Sequence, residues 1–96
     1  MEFKYINQPN RIIVKDENDR MVAAVTFPNV TENTVNVAHT FVDPSLRGQG
    51  IASRLMLEMV KQLKQTGKKA NPVCDYAASW FEKHPEHQDV LMQKGD

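Results

Sequence analysis

Hydrophobic and polar residues follow one another along the first half of the chain in a pattern that predicts short β-strands. Residues 11–15 and 21–27 are rich in β-branched and other apolar side chains, and a polar turn separates them. Residues 34–42 follow a second polar turn and alternate in part, while residues 3–6 form a further short strand or a frayed end. β-Branched runs separated by polar turns indicate hairpins. The pattern therefore predicts a three-stranded antiparallel meander.

The alternation within residues 34–42 assigns side chains to two faces, because successive residues of a strand point in opposite directions. One face carries Val35, Val37, His39 and Phe41. The sequence therefore predicts that His39 lies among apolar neighbours.

The second half of the chain changes to a helical period at Gly50. Apolar residues recur there at every fourth position, at Ile51, Leu55, Met59 and Leu63. This spacing produces one apolar stripe along a helix that faces a core. Gly67 suits the position just after a helix, where a left-handed backbone is common. A long amphipathic helix between the two glycines is therefore predicted.

A short strand over residues 68–74 and a second helix over 75–83 complete the predicted elements. Ala70, Val73 and Cys74 are the apolar members of that strand. Pro72 removes a backbone donor, so the strand should lie at an edge or splay from its neighbour. The order β-β-β-α-β-α predicts one right-handed parallel crossover. The expected fold class is α/β, with a mixed sheet and helices on one or both faces.

Composition narrows the classes of function. The 96 residues allow one domain, taken as residues 1–96, and their formal net charge is zero. This balance argues against a nucleic-acid partner, which requires a concentrated basic surface. No apolar run is long enough for a membrane span, so a cytoplasmic protein without a membrane partner is expected. One cysteine and three scattered histidines predict no intramolecular disulfide and no metal site.

Residues 47–52 place two glycines where a strand must turn into the long helix. Such a turn exposes backbone N–H groups at the positive end of a helix, which favours anions. A phosphate-bearing ligand is one interpretation of this segment. The other is a plain turn followed by a helix start, because short glycine motifs are common.

The same segment resembles the acyl-CoA signature of the GNAT N-acetyltransferase superfamily, written Q/R-x-x-G-x-G/A. Residues 41–46 resemble the strand and loop that precede that signature, and residues 78–83 are similar to the family's A-x-x-x-Y-E-K segment. Cys74-x-Tyr76 and residues 84–86 resemble a small, single-domain branch. The resemblance covers about residues 20–92.

The resemblance implies a minimal GNAT-like fold, in which an antiparallel meander leads to a parallel strand pair that splays into a V. Acetyl-CoA or coenzyme A would lie in that V, with its pantetheine arm along the strand near Thr40. The residues implied in cofactor binding are Phe41, Val42, Arg47, Gly48, Gln49, Gly50, Ile51, Ala52 and, as a core or groove-wall residue, Phe81. The implied function is acetyl-CoA-dependent transfer of an acetyl group to the amine of a small molecule or a protein.

The chain also departs from the family pattern. A typical member is longer and carries two helices between its first two strands, together with closing strands at the C-terminus. Phe81 occupies the position of the family's tyrosine, so no hydroxyl is available there to protonate the departing thiolate. Both departures favour an alternative, a non-catalytic module that binds acetyl-CoA. A third alternative is an unrelated small α/β interaction domain in which the glycine loop is only a turn.

Three residues are candidates for the chemistry of acetyl transfer. His39 is a candidate base, because imidazole titrates near neutral pH, or a hydrogen-bonded core residue. Cys74 either accepts the acetyl group as a thiolate at a helix start or is a small buried residue. Tyr76 replaces the missing tyrosine as an acid or covers the core. The predicted state is a monomer or a weak homodimer, because a small sheet leaves an open edge.

Overall fold

The computed structural model describes residues 2–92, which form a mixed α/β fold. The elements, in chain order, are β1 (Lys4–Gln8), β2 (Arg11–Lys15), β3 (Met21–Thr26), β4 (Thr34–Val37), β5 (His39–Val42), a 3-10 helix (Pro44–Leu46), α1 (Ile51–Thr66), β6 (Lys69–Pro72), α2 (Asp75–Lys83) and a second 3-10 helix (Pro85–Val90). The predicted mixed fold class is confirmed. None of the helices described here is long and apolar enough to cross a membrane.

The strands are divided between two sheets. Four strands form an antiparallel sheet in the order β1-β2-β3-β5, and β4 pairs in parallel with β6. The connection from β4 to its parallel partner β6 contains helix α1. The predicted parallel pairing of two strands joined through a helix is therefore confirmed. The antiparallel sheet has one strand more than the predicted three-stranded meander. The first segment, expected as a short strand or a frayed end, is the strand β1 and pairs with β2 along its whole length.

The structure corrects the prediction of a single strand over residues 34–42, because that segment breaks at Ala38. Thr26 pairs with His39, yet the Thr26 carbonyl also accepts the N–H of Ala38 at 3.0 Å. Two residues therefore oppose one on β3, as in a β-bulge, and this shifts the alternation of faces by one residue.

The break at Ala38 separates side chains that the sequence assigned to one face. Val35 and Val37 are fully buried, whereas His39 is exposed and Phe41 is 48% exposed. The predicted shared face is therefore wrong, and His39 is not a core histidine.

Helix α1 carries the predicted apolar stripe and lies against β2, β3 and β5. Its buried residues are Ile51, Leu55, Met56, Met59, Val60 and Leu63. Gly67 adopts the left-handed conformation just after the helix, and its N–H donates to the Leu63 carbonyl. The long helix and its glycine boundaries are therefore as predicted.

Strand β6 is shorter than its prediction because it ends at Pro72. Val73 and Cys74, predicted as apolar members of the strand, therefore lie beyond its end, and Val73 is 55% exposed. Helix α2 begins at Asp75, contacts β6 and α1, and buries Trp80 and Phe81. These contacts connect the two-stranded sheet to the main core.

Candidate functional site

A gap opens where β5 and β6 diverge. Val37 and Pro72 are the last pair of the parallel ladder, and the N–H of Cys74 donates to the Val37 carbonyl at 3.0 Å. Beyond that point β5 pairs with β3, while the segment after β6 turns into α2. Pro72 has no N–H with which to extend the ladder. The two strands therefore splay apart from the end of β4 onward.

The divergence leaves β5 with one unpaired edge in the four-stranded sheet. The N–H of Asp43 donates to the Val22 carbonyl at 2.8 Å, so this residue pair is of the hydrogen-bonded kind. Hydrogen-bonded and non-hydrogen-bonded pairs alternate along an antiparallel ladder. Thr40 and Val42 therefore direct their backbone N–H and C=O groups away from β3, toward the gap.

A short 3-10 helix fixes the loop between β5 and α1. Asp43 Oδ1 accepts hydrogen bonds from the Ser45 N–H at 2.9 Å and from the Ser45 hydroxyl at 2.7 Å. These two bonds lower the pKa of the Asp43 carboxyl below its usual range. Leu46 is buried and anchors the loop in the core. These contacts fix the loop immediately before the glycine segment.

The glycine segment turns the chain into α1 through left-handed backbone conformations. Gly48 has a φ of 85°, and Gly50, which precedes the helix, has a φ of 77°. No side chain within residues 2–92 caps this end of α1. The first N–H groups of a helix have no partner within it, so they are available to an anion. The positive end of the α1 dipole lies at the same place.

A cleft of about 420 Å³ lies between the glycine segment, β5 and the start of α2. Its lining residues are Thr40, Val42, Leu46, Arg47, Gly48, Gly50, Ile51, Ala52, Ser53 and Tyr76. The cleft therefore joins an unpaired strand edge to an uncapped helix start. One surface offers backbone groups to an extended chain, and the other offers N–H groups to an anion.

The structure places six of the nine residues predicted to bind cofactor in this lining: Val42, Arg47, Gly48, Gly50, Ile51 and Ala52. Phe41 lies on the exposed face of β5, and Gln49 is exposed outside the lining. Phe81 is 2% exposed and packs edge-on against Trp80 in the core. Phe81 is therefore a core residue and does not form a wall of the cleft, because α2 directs its side chain into the core.

Two of the three candidate catalytic residues lie at or beside the cleft. Tyr76 lines it from the first turn of α2 and is 40% exposed. Partial burial raises the pKa of the Tyr76 hydroxyl above its ordinary value, so the group stays protonated at neutral pH. Cys74 is half-buried at the start of α2, and its Sγ lies 3.6 Å from Thr40 Oγ1 across the gap. The two residues therefore flank the divergence of the strands.

His39 lies apart from the cleft. Its side chain is exposed, and along β5 it alternates with the cleft-lining Thr40 and Val42. Alternation directs it to the opposite face of the strand. His39 therefore does not meet Tyr76 and Cys74 within the cleft.

The sequence did not predict two of the residues that line the cleft as binding residues, namely Leu46 and Ser53. Leu46 reads as a loop residue, and only its burial identifies it as the anchor of that loop. Ser53 directly follows the glycine signature on the first turn of α1. This position next to the signature was the only indication in the sequence that Ser53 lines the site. Its contact with Trp80, 27 residues away, required the packing of α1 against α2.

Comparisons with known proteins agree with this geometry. Residues 11–90 match the family model described as GCN5-related N-acetyl-transferase. No curated protein sequence matches the chain. An NMR structure of a GCN5-like protein from Staphylococcus aureus is 29% identical, with a TM-score of 0.76. The match covers 93% of this chain and 87% of that one.

Two larger structures carry ligands. A GNAT family N-acetyltransferase from Escherichia coli, in complex with CoA, is 25% identical over 60% of this chain and 35% of its own, with a TM-score of 0.56. A GNAT family acetyltransferase from Elizabethkingia anophelis, with acetyl-CoA bound, shares the fold at 13% identity and a TM-score of 0.59. That match covers 76% of this chain and 50% of the other.

The chain thus spans between about a third and a half of the two ligand-bound structures and most of the small S. aureus protein. The family model begins at β2 and covers every later element of the fold, including the glycine segment and both α-helices. This chain belongs to the GCN5-related N-acetyltransferase family.

Proposed function

We propose that the protein is an acetyl-CoA-dependent N-acetyltransferase that acts on the amine of a small molecule or a protein. The observation that carries the proposal is the cleft, in which the unpaired edge of β5 meets the uncapped start of α1. Two members of the fold family with bound CoA or acetyl-CoA support this choice of ligand. A single domain, a cytoplasmic location and a monomeric or weakly dimeric state belong to the same proposal.

The ligand's two ends match the two surfaces of the cleft. The N–H groups of residues 48–52 would bind the diphosphate, because they donate to no other group within residues 2–92 and lie at the positive end of α1. The amide-containing pantetheine arm would pair with the backbone of Thr40 and Val42, like an added strand. A backbone N–H near Val42 that does not pair with the arm would stabilise charge on the thioester oxygen during attack.

Tyr76 is the proposed acid for the departing thiolate. It lines the cleft, and its raised pKa keeps its proton available at neutral pH. His39 would serve as base only for an acceptor that approaches from the exposed face of β5. In this direct route, the amine attacks the thioester carbon, the carbon–sulfur bond breaks, and Tyr76 protonates the sulfur of CoA. The nitrogen loses one proton to solvent as the amide forms, and Tyr76 regains its proton from solvent.

Cys74 supports a second route with a covalent intermediate. Its thiolate would attack the thioester carbon, and CoA would leave as a thiol after accepting a proton. The acetyl group would then pass from the Cys74 sulfur to the acceptor amine, which restores the thiol. The position of Cys74 beside Thr40, where the strands diverge, favours this route as an alternative to direct attack.

A non-catalytic module that binds acetyl-CoA is the competing proposal. The observation in its favour is Phe81, which takes the place of a tyrosine and is buried in the core. A binding module needs the cleft but none of the proton transfers.

An NMR titration followed by a turnover assay tests the proposal. Adding CoA should shift the amide resonances of residues 40–42 and 47–53 in a saturable way, since these surround the cleft. Shifts confined to other residues would contradict both cofactor proposals. Release of CoA from acetyl-CoA above the hydrolytic rate, with any acceptor of a broad amine panel, supports the enzyme. CoA binding without such release supports the module.

Variants separate the chemical roles. Tyr76→Phe should lower kcat by roughly 10²-fold, the usual range for a general acid, without changing the affinity for CoA. Cys74→Ala should abolish turnover and the mass increase of an acetyl adduct if the covalent route operates, whereas full activity would eliminate that route. His39→Gln changes an exposed residue outside the cleft. Its effect on kcat tests whether His39 serves as the base.

A further inference from the structure

A tryptophan on α2 makes a polar contact with the first turn of α1. The Nε1–H of Trp80 donates to Ser53 Oγ at 2.9 Å. Trp80 is 4% exposed, whereas Ser53 is half-buried and lines the cleft. This bond therefore joins a core side chain to the wall of the proposed ligand site.

The chemistry of the two groups fixes the direction of the bond. An indole N–H only donates, so the Ser53 oxygen is the acceptor and keeps its own hydrogen for another partner. A serine inside a helix commonly donates to the carbonyl three or four residues earlier. Within residues 2–92 no such bond is formed, and the contact with Trp80 is the hydrogen bond that the Ser53 hydroxyl makes. Its hydrogen is therefore available to the cleft.

Trp80 is itself held in place by its neighbours. The His84 ring stacks on the indole, with centroids 4.1 Å apart and planes 17° apart. Phe81 meets the same indole edge-on, with centroids 5.1 Å apart. His84 Nδ1 lies 2.7 Å from the Trp80 carbonyl and must carry the hydrogen, because a carbonyl only accepts. The donor that reaches Ser53 therefore has a fixed direction.

We propose that Trp80 is a positioning residue for the diphosphate of CoA and that it acts through Ser53. Its N–H occupies one lone pair of the Ser53 oxygen and so limits rotation of the hydroxyl. The hydroxyl hydrogen is then directed into the cleft, where it donates to a diphosphate oxygen beside the N–H groups of the glycine segment. The inference rests on the proposed function, because it requires that CoA binds in this cleft.

Four proteins provide the affinity test, namely wild type, Ser53→Ala, Trp80→Phe and the double variant, each titrated with CoA. A hydrogen bond to a charged group predicts that Ser53→Ala weakens CoA binding by about 10-fold or more. Trp80→Phe, which loses the orienting donor, should weaken it by about 3- to 10-fold. The double variant should bind no more weakly than Ser53→Ala, because the two residues act in series. Ser53→Thr, which keeps a hydroxyl, should restore most of the affinity.

A control separates positioning from packing. Phe27→Leu changes another aromatic residue of the core, 1% exposed, that neither lines the cleft nor forms a hydrogen bond with Ser53. It should destabilise the fold without weakening CoA binding. Unchanged CoA affinity in Trp80→Phe, or losses that multiply in the double variant, would overturn the proposal.

A second measurement uses the wild-type chain and does not depend on the folding of Trp80→Phe. Trp80 is the single tryptophan of the sequence, so the protein gives one indole N–H resonance. That resonance should shift with CoA in step with the amides of residues 48–53, and Ser53→Ala should remove the shift. An unmoved indole resonance, with saturating amide shifts, refutes the positioning role but leaves the proposed function intact. An absence of all these shifts in the wild type refutes both.

Discussion

The two glycines that flank α1 allow the proposed anion-binding role of the helix start to be tested against a matched control. Gly50 and Gly67 have φ values of 77° and 70°, and a Cβ added at either position would meet no atom within 4 Å. Their backbone conformations are thus nearly the same, and an added methyl group has space at both positions. Only Gly50 lines the cleft.

Replacing either glycine with alanine carries a conformational penalty and no steric one. A left-handed backbone costs an L-residue about 1–2 kcal/mol, and the reduced entropy of the unfolded chain returns part of this. We expect each variant to lose about 1 kcal/mol of unfolding free energy, or about 4–8 °C in Tm for a domain of this size. Thermal unfolding followed by circular dichroism measures both changes.

Binding should separate the two variants. In Gly50→Ala, the new methyl group and any relaxation of the backbone alter the N–H groups that face the cleft. CoA affinity, measured by titration calorimetry, should fall by about 10-fold or more, as expected for the loss of a charge-assisted hydrogen bond. Gly67→Ala should bind CoA like the wild type. Equal CoA affinities in the two variants would refute the assignment of the diphosphate to the start of α1.

Two further predictions concern stability. Leu55→Ala, at a fully buried position of α1, should cost about 3 kcal/mol of unfolding free energy, whereas Leu57→Ala, 43% exposed on the same helix, should cost no more than about 0.5 kcal/mol in urea denaturation. Similar losses at the two positions would contradict the assigned core face. Burial raises the pKa values of Tyr5 and Tyr76 above their ordinary value of 10.0, so the folded state holds these protons more tightly than the unfolded state. The resulting contribution to the free energy of unfolding is complete below pH 10 and is lost as the pH rises through the raised pKa values of the folded state. Urea titrations on either side of that pH should detect this loss of stability. The variant Tyr76→Phe should show a smaller loss.

The sequence identified the elements whose pattern is local. The four-residue spacing of apolar side chains and the glycine at each end located α1 to within a residue of its observed bounds. The glycine signature, residues 47–52, likewise supplies five of the ten residues that line the cleft. Both features depend on residues that are close along the chain, where periodicity and backbone preference act directly.

The errors arose where pairing partners decide the structure. Residues 34–42 look like one strand, since no proline or glycine marks Ala38, but the two halves pair with different strands. A bulge of one residue leaves no signal in composition, yet it moves His39 to the solvent. The contact between Ser53 and Trp80 depends in the same way on how two helices pack. Such features require knowledge of distant neighbours.

The unpaired edge of β5 has a further consequence for the ligand-free protein. Edge strands are usually shielded by charged residues, proline or a covering loop, because exposed backbone groups can pair with another chain. The residues of β5, HTFV, include no lysine, arginine, acidic residue or proline, and Phe41 is exposed there. A strand that receives the backbone-like arm of a ligand, as we propose for β5, cannot also be blocked against pairing. The empty protein should therefore aggregate more readily than the occupied one, so the ligand would also protect it against aggregation.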